Sequence, residues 1–247
     1  MGTATAGSPY LAVRLKAKEQ VAEGTMAFRF EKPPAFNFKA GQSLDMTLLD
    51  PAETDSEGNT RAFSIASAPQ EDTLMIATRM RDTAFKRSLK VMPAGTAVKI
   101  EGPFGNLTLH NNALRAAVLL AGGIGITPFR SMALRAAAEK LTHRICLFFS
   151  NRRPEDAPFL QELQALEKQN PNFKFIATMT QMKNSQRHWS GETGFLSNEM
   201  FSKHLKDAVS SIFYIAGPPE MVKGLRSVLN ERKVDDDDIR TEEFAGY

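Results

Sequence analysis

The chain has only one cysteine, Cys146, in 247 residues. A single thiol excludes an internal disulfide framework and any iron–sulfur cluster held by four cysteines. It lies in the apolar run Ile145-Cys-Leu-Phe-Phe149, so it is expected to be a buried core thiol. The four histidines, His110, His143, His188 and His204, lack metal-ligand spacing, and no metal site is expected. No serine stands in a G-x-S-x-G elbow and there is no Walker A lysine, so the common hydrolase and kinase signatures are missing. Met1–Ser8 lacks the basic and apolar regions of a signal peptide, and Ala6 stands where myristoylation needs a hydroxyl. No apolar run approaches membrane-spanning length, so a cytoplasmic chain without membrane insertion is expected. Charge of one sign is scarce too. The 31 basic and 28 acidic side chains leave +3 with no basic tract, so nucleic acid is not an expected partner. The acidic run Asp235–Asp238 lacks the other spaced oxygen ligands of a calcium loop and reads as a solvated turn.

What remains is an ordinary globular composition whose length suits one large domain or two of ordinary size. Six short strand-like segments occupy the first half: Tyr10–Lys16, Thr25–Phe30, Ser43–Leu49, Ala62–Ala66, Thr73–Thr78 and Ala97–Glu101. Their Gly, Pro and Asp punctuation predicts an antiparallel β-barrel or sandwich. Asp50–Thr60 is polar and breaker-rich, as an exposed hairpin loop would be. After Asn106 the rhythm becomes strand–helix. Strands are predicted at 114–121, 144–150, 173–180, 211–216 and 239–244, with helices at 127–141, 158–169, 197–205 and 218–232. That alternation predicts an α/β domain with a parallel doubly wound sheet, whose ligands bind beyond the carboxyl ends of the strands. The domains are placed at 9–112 and 113–247.

The second half is organised around Ala117–Met132. Val118–Ala121 reads as a buried strand, and Gly122, Gly123 and Gly125 permit a tight turn with close ligand approach. Thr127 suits an N-cap and Pro128 the first helical position, leaving free N–H groups for a phosphate. In the first half, Arg61-Ala-Phe-Ser64 puts a guanidinium and an aromatic ring on one strand face. Arg79–Leu89 reads as a short helix entered near Thr83, with Lys86 and Arg87 adding positive charge. Glu101-Gly-Pro-Phe-Gly105 reads as a turn ending the last barrel strand. Arg152 and Arg153 follow the second strand of the sheet, where an adenosine ribose or its 2′-phosphate would lie. Two candidate phosphate sites without a nucleophile fit chemistry done by cofactors.

Three motifs carry a resemblance. Arg61-Ala-Phe-Ser64, Gly122-Gly-Ile-Gly-Ile-Thr-Pro128 and Ala216-Gly-Pro-Pro-Glu-Met221 occur in the order and roughly the spacing of the ferredoxin–NADP reductase superfamily, which the chain resembles from about Tyr10 to Tyr247. The resemblance implies a flavin-binding barrel, a pyridine-nucleotide domain, the cofactors FAD and NAD(P)H, and electron transfer to a separate acceptor protein. That acceptor would be a ferredoxin, flavodoxin, oxygenase component or haem protein. Arg61 and Ala62 would lie along the flavin, Arg61 on its pyrophosphate, with Phe63 stacked on its ring. Ala77, Thr78 and Arg79 would line its ribityl and phosphate side, and Phe85 and Lys86 would hold the pyrophosphate. Gly123, Gly125 and Thr127 would admit the nicotinamide nucleotide, Arg152, Arg153 or Arg187 would hold a 2′-phosphate, and Gly217, Pro218 and Met221 would flank the nicotinamide. Phe244 or Tyr247 would shield the flavin, leaving Ser64, Thr127 and Phe244 nearest the chemistry. Phe63 replaces the commoner tyrosine, and Ala216 stands where many relatives have cysteine. A non-catalytic flavin or nucleotide sensor, or a regulatory subunit on the same scaffold, is the alternative reading.

Overall fold

The structure, a computed structural model, describes residues 10–205 and 210–244. Six antiparallel strands form the first sheet: β1 (Leu11–Ala22), β2 (Thr25–Glu31), β3 (Ser43–Leu48), β4 (Thr60–Ser64), β5 (Thr73–Arg79) and β6 (Ala97–Phe104). Their spatial order is β4-β3-β6-β1-β2-β5. One helix, α1 (Ala84–Val91), follows β5. The alternation read from the sequence is real. In β3 every second side chain, Leu44, Met46 and Leu48, is buried in a core shared with Phe28, Phe30 and Phe85.

Two expectations about this half are corrected. β1 runs to Ala22 rather than Lys16, because its last turn pairs with β2 through a tight hairpin at Gly24 (φ +63°). Its exposed charged residues hid that extension from a hydrophobic pattern. The segment 101–105 does not turn out of the barrel. Glu101–Phe104 continue β6 against β3, with a register shift opposite Ser43 and Asp45.

The second half is an all-parallel six-stranded sheet. It contains β7 (Ala117–Gly122), β8 (Ile145–Asn151), β9 (Phe173–Met179), a two-residue β10 (Glu192–Thr193), β11 (Ile212–Gly217) and β12 (Ile239–Glu243). The order is β10-β9-β8-β7-β11-β12. α2 (Ile126–Ala138), α3 (Leu160–Gln169), α4 (Asn198–His204) and α5 (Pro219–Glu231) connect the strands. All six residues of β7 and of β11 are buried, which the coverage of both sheet faces requires. The chain leaves β7 toward β8 and later returns to its other side as β11. That reversal opens a crevice at the carboxyl ends of β7 and β11.

Cys146 is half-buried on β8, and burial pushes its thiol up to about 12, so it stays protonated. Among the described residues no helix is long and apolar enough to cross a membrane. No three His, Cys, Asp or Glu side chains there gather as a metal site.

Candidate functional site: two clefts at the domain seam

The first cleft, of about 440 Å³, lies at the seam between the sheets. β4 contributes Arg61, Ala62, Phe63 and Ser64, and β5 contributes Ala77, Thr78 and Arg79. Lys86 enters from α1, Thr127 from α2, and Phe244 from the end of β12. Phe63 of the barrel and Thr127 of the parallel sheet therefore face one cavity. Tyr247 lies outside the described residues.

This cleft is strongly cationic at one end. Arg61, Arg81 and Lys86 all line it. Burial, together with Arg81 and Arg61, lowers the Lys86 ammonium from its ordinary value. Part of this charge is already answered within the chain. Arg61 pairs with Asp55 at 3.1 Å and Glu57 at 2.9 Å, and donates to the Glu57, Gly58 and Thr60 carbonyls. The other Asp55 oxygen accepts from the Ala84 N–H at the start of α1, 3.2 Å away. Asp55 thus sits between a guanidinium and a helix N-terminus, a seat that equally suits a phosphate. The loop predicted from its breakers folds back onto the site and supplies it with carboxylates.

Thr83 caps α1 by accepting from the Lys86 N–H at 3.3 Å. Phe85 does not reach the cleft, contrary to its expected place beside Lys86. Its ring is buried in the barrel core, 5.8 Å from the Phe63 ring and 5.3 Å beneath the Arg61 guanidinium. The helix period that brings Lys86 to the cleft turns its neighbour inward.

Ser64 leads to a residue that motif reading missed. Its hydroxyl donates to Glu242 Oε1 at 3.1 Å across the domain seam. Glu242, on β12 next to Ala216 of β11, is half-buried. Burial raises its carboxyl above the ordinary glutamate range, and the Ser64 hydrogen bond only partly opposes this. A lone Glu in Thr-Glu-Glu-Phe gives no sequence signal. Only the pairing of the last strand with β11 brings it within reach of β4.

The second cleft, of about 890 Å³, opens beyond the parallel strands and shares Arg79 and Arg81 with the first. Gly122, Gly123, Arg152, Pro218 and Met221 line it, with Phe195 exposed at its wall. Asn151, also in the wall, was not singled out from sequence; its buried side-chain amide has no hydrogen-bond partner among the described residues.

The glycine turn differs from expectation in three respects. Gly122 ends β7, and Gly123–Gly125 form a 3-10 turn that runs straight into α2. α2 begins at Ile126 with Gly125 as N-cap and ends at Ala138. Thr127 is therefore inside the helix and not its cap; its hydroxyl donates back to the Ile124 carbonyl at 3.0 Å. Gly125 serves packing: a Cβ there would lie 2.1 Å from the Ala216 carbonyl oxygen. Gly217 packs likewise against Gly122, and neither Gly125 nor Gly217 lines the second cleft. Arg153, one candidate for a 2′-phosphate, is held by Asp156 at 2.7 Å and Glu23 at 2.9 Å. Arg152 is exposed at the cleft wall.

Residues 119–227 match the family of oxidoreductase NAD-binding domains. The chain is 25% identical over 224 residues to the glycine betaine monooxygenase reductase subunit of Chromohalobacter salexigens, covering 90% of this chain and 60% of that protein. It spans only about half the length of several other curated relatives. A ferredoxin NADP+ reductase from Neisseria gonorrhoeae, solved with FAD and NADP bound, superposes with a TM-score of 0.78 at 23% identity, over 96% of this chain and 99% of that one. The cytochrome P450 reductase GcoB of Amycolatopsis superposes with a TM-score of 0.80 at 20% identity, over 95% of this chain and 69% of that one. The chain has the ferredoxin reductase-like two-domain fold, and residues 119–227 match the oxidoreductase NAD-binding domain.

Proposed function

We propose that this chain is an FAD-dependent NAD(P)H oxidoreductase that passes electrons to a separate one-electron acceptor protein. The observation that carries the reading is the shared cavity: Phe63 and Ser64 of β4, Thr127 of α2 and Phe244 just past β12 face one space. The residues present fit FAD. A cationic end formed by Arg61, Arg81 and Lys86 suits a pyrophosphate, and the apolar face of Phe63 suits a flat ring. The division of labour follows the two domains, 9–112 for the flavin and 113–247 for the nucleotide. Bound flavin supplies the conversion of a two-electron hydride into single electrons.

The chain's own task is orientation and electrostatics. Arg61 and Lys86 hold the phosphates, with Asp55 and Glu57 fixing where Arg61 points. Ala62, Ala77, Thr78 and Arg79 line the stretch between ring and phosphates. Thr127 and Phe244 close the cavity from the nucleotide side, where Gly123, Pro218 and Met221 receive the nicotinamide end. Arg152 stands where a 2′-phosphate would reach the second cleft. Ser64 presents its hydroxyl at the ring edge, and Glu242 behind it accepts that hydroxyl's hydrogen bond and fixes where it points. The oxygenase-reductase relative supports an oxygenase component as the acceptor.

Anaerobic titration of the flavin-loaded protein with NADH and with NADPH tests the reading. Bleaching of the flavin band by either nucleotide, with ferricyanide then reduced catalytically, is expected. A folded, flavin-loaded chain that stays yellow with both is instead a sensor or regulatory subunit.

A further inference from the structure

Arg130 is buried in the seam, with only 2% of its surface exposed, and its guanidinium joins three elements. Nη1 donates to the Ala66 carbonyl at 2.7 Å and to Glu71 at 3.0 Å, both in the barrel. Nε and Nη2 donate to Glu162 of α3 at 2.7 and 2.6 Å. The group also lies 5.0 Å from the ring of Phe159, which packs on the small seam cluster holding Ala66, Ala77 and Ile124. A charge is costly to bury, and this one has every side of its fork answered.

What Arg130 joins matters more than how tightly. It stands three residues after Thr127 on α2, and Ala66 stands two residues after Ser64. Neighbouring bonds follow in step: Ser131 donates to the Ser67 carbonyl at 2.6 Å, and Gln70 donates to the Leu134 carbonyl at 3.2 Å. α2 therefore lies along residues 66–70 of the barrel. We propose that Arg130 is a positioning residue which sets the separation between the group held at Ser64 and the group held at Thr127, and so sets the hydride-transfer distance. The inference rests on the function proposed above. A displacement of about 1 Å in such a step costs up to ~100-fold in rate.

Arg130→Lys, which keeps the charge but loses the fork, and Arg130→Gln test this, with Glu71→Gln as a second way to loosen the same tie. Spin labels at Lys90→Cys and Lys168→Cys, both exposed and on opposite domains, report the seam without cofactors, because the native Cys146 thiol is protonated and half-buried. One narrow label distance is expected with Arg130 intact, and a broadened or shifted one in Arg130→Lys. In the flavin-loaded protein, single-turnover reduction at saturating nucleotide should fall about 10- to 100-fold with little change in nucleotide affinity. The primary deuterium isotope effect should rise as transfer becomes the slow step. Should Arg130→Gln fail to fold, Arg130→Lys and Glu71→Gln carry the same readouts. Unchanged label distances, or reduction as fast as in the parent protein, overturn the inference alone. A parent flavoprotein that neither nucleotide reduces overturns the functional reading and this inference with it.

Discussion

The two clefts are built on different principles, although each is proposed to receive a phosphate. The barrel cleft does it with side chains. Arg61, Arg81 and Lys86 crowd one end, and Asp55 and Glu57 answer Arg61 in advance. α1 beside it has a side-chain cap in Thr83. The sheet cleft does it with backbone. α2 has no side-chain cap, and the residues from Gly122 to Thr127 are all buried. Glycines behind its wall let main chain meet main chain, with Gly125 against Ala216 and Gly217 against Gly122. A site made of side chains can be weakened by degrees. A site made of backbone contact keeps its shape or loses it.

The sharpest way to break this contrast is Gly125→Ala. Its methyl would need space that the Ala216 carbonyl occupies, so the start of α2 must move. A loss of about 3 kcal/mol in denaturant unfolding is expected, the upper end for overpacking. A variant as stable as the parent would show that the turn is not packing-limited. Arg61→Ala is next. It removes a charge-assisted phosphate contact and should weaken flavin retention by about 1.5–3 kcal/mol, read by equilibrium dialysis. Unchanged affinity would move the phosphate elsewhere along the cationic end.

Glu242→Gln separates the seam from both clefts. Because burial raises the Glu242 carboxyl, the folded chain binds more protons than the unfolded one between the ordinary and the raised value. Stability should therefore fall as pH rises through that window, and the Gln variant should lack the fall. Parallel curves for the two proteins would contradict a shifted carboxyl. The same substitution should remove one ionisation from the pH profile of flavin reduction. Arg152→Ala is the smallest effect. An exposed contact is worth about 0.2–1 kcal/mol, so affinity for NADPH should drop at most several-fold while that for NADH is unchanged. Equal changes for both nucleotides would remove Arg152 from 2′-phosphate recognition.

Much of the architecture was legible because it rests on local period and punctuation. Five of the six parallel strands fall within about three residues of their predicted places, since buried runs such as Val118–Ala121 have few alternatives, while the two-residue β10 was not expected. The β1 hairpin extension and the strand through Glu101–Phe104 were not legible. Their residues are exposed or interrupted by Gly and Pro, and only the partner strand holds them extended. Within the site, the Arg61–Ser64 strand and the turn before α2 stood out through spacing. Phe85 turns inward because each helical residue is rotated about 100° from its neighbour, and Thr127 falls inside α2 because the 3-10 turn already supplies the helix start.

The linear order of residues determined which segments become strands and helices, and which short motifs stand at strand ends. Those choices depend on side-chain size, backbone freedom and neighbours a few positions away. Only the tertiary structure decided that Asp55 accepts from the Ala84 N–H, that Glu242 reaches Ser64 from 178 positions along the chain, and that Arg130 locks α2 to the barrel. Each is a polar contact between distant segments. Its energy depends on burial and on ångström-scale placement, which exist only once both sheets have closed on their shared seam.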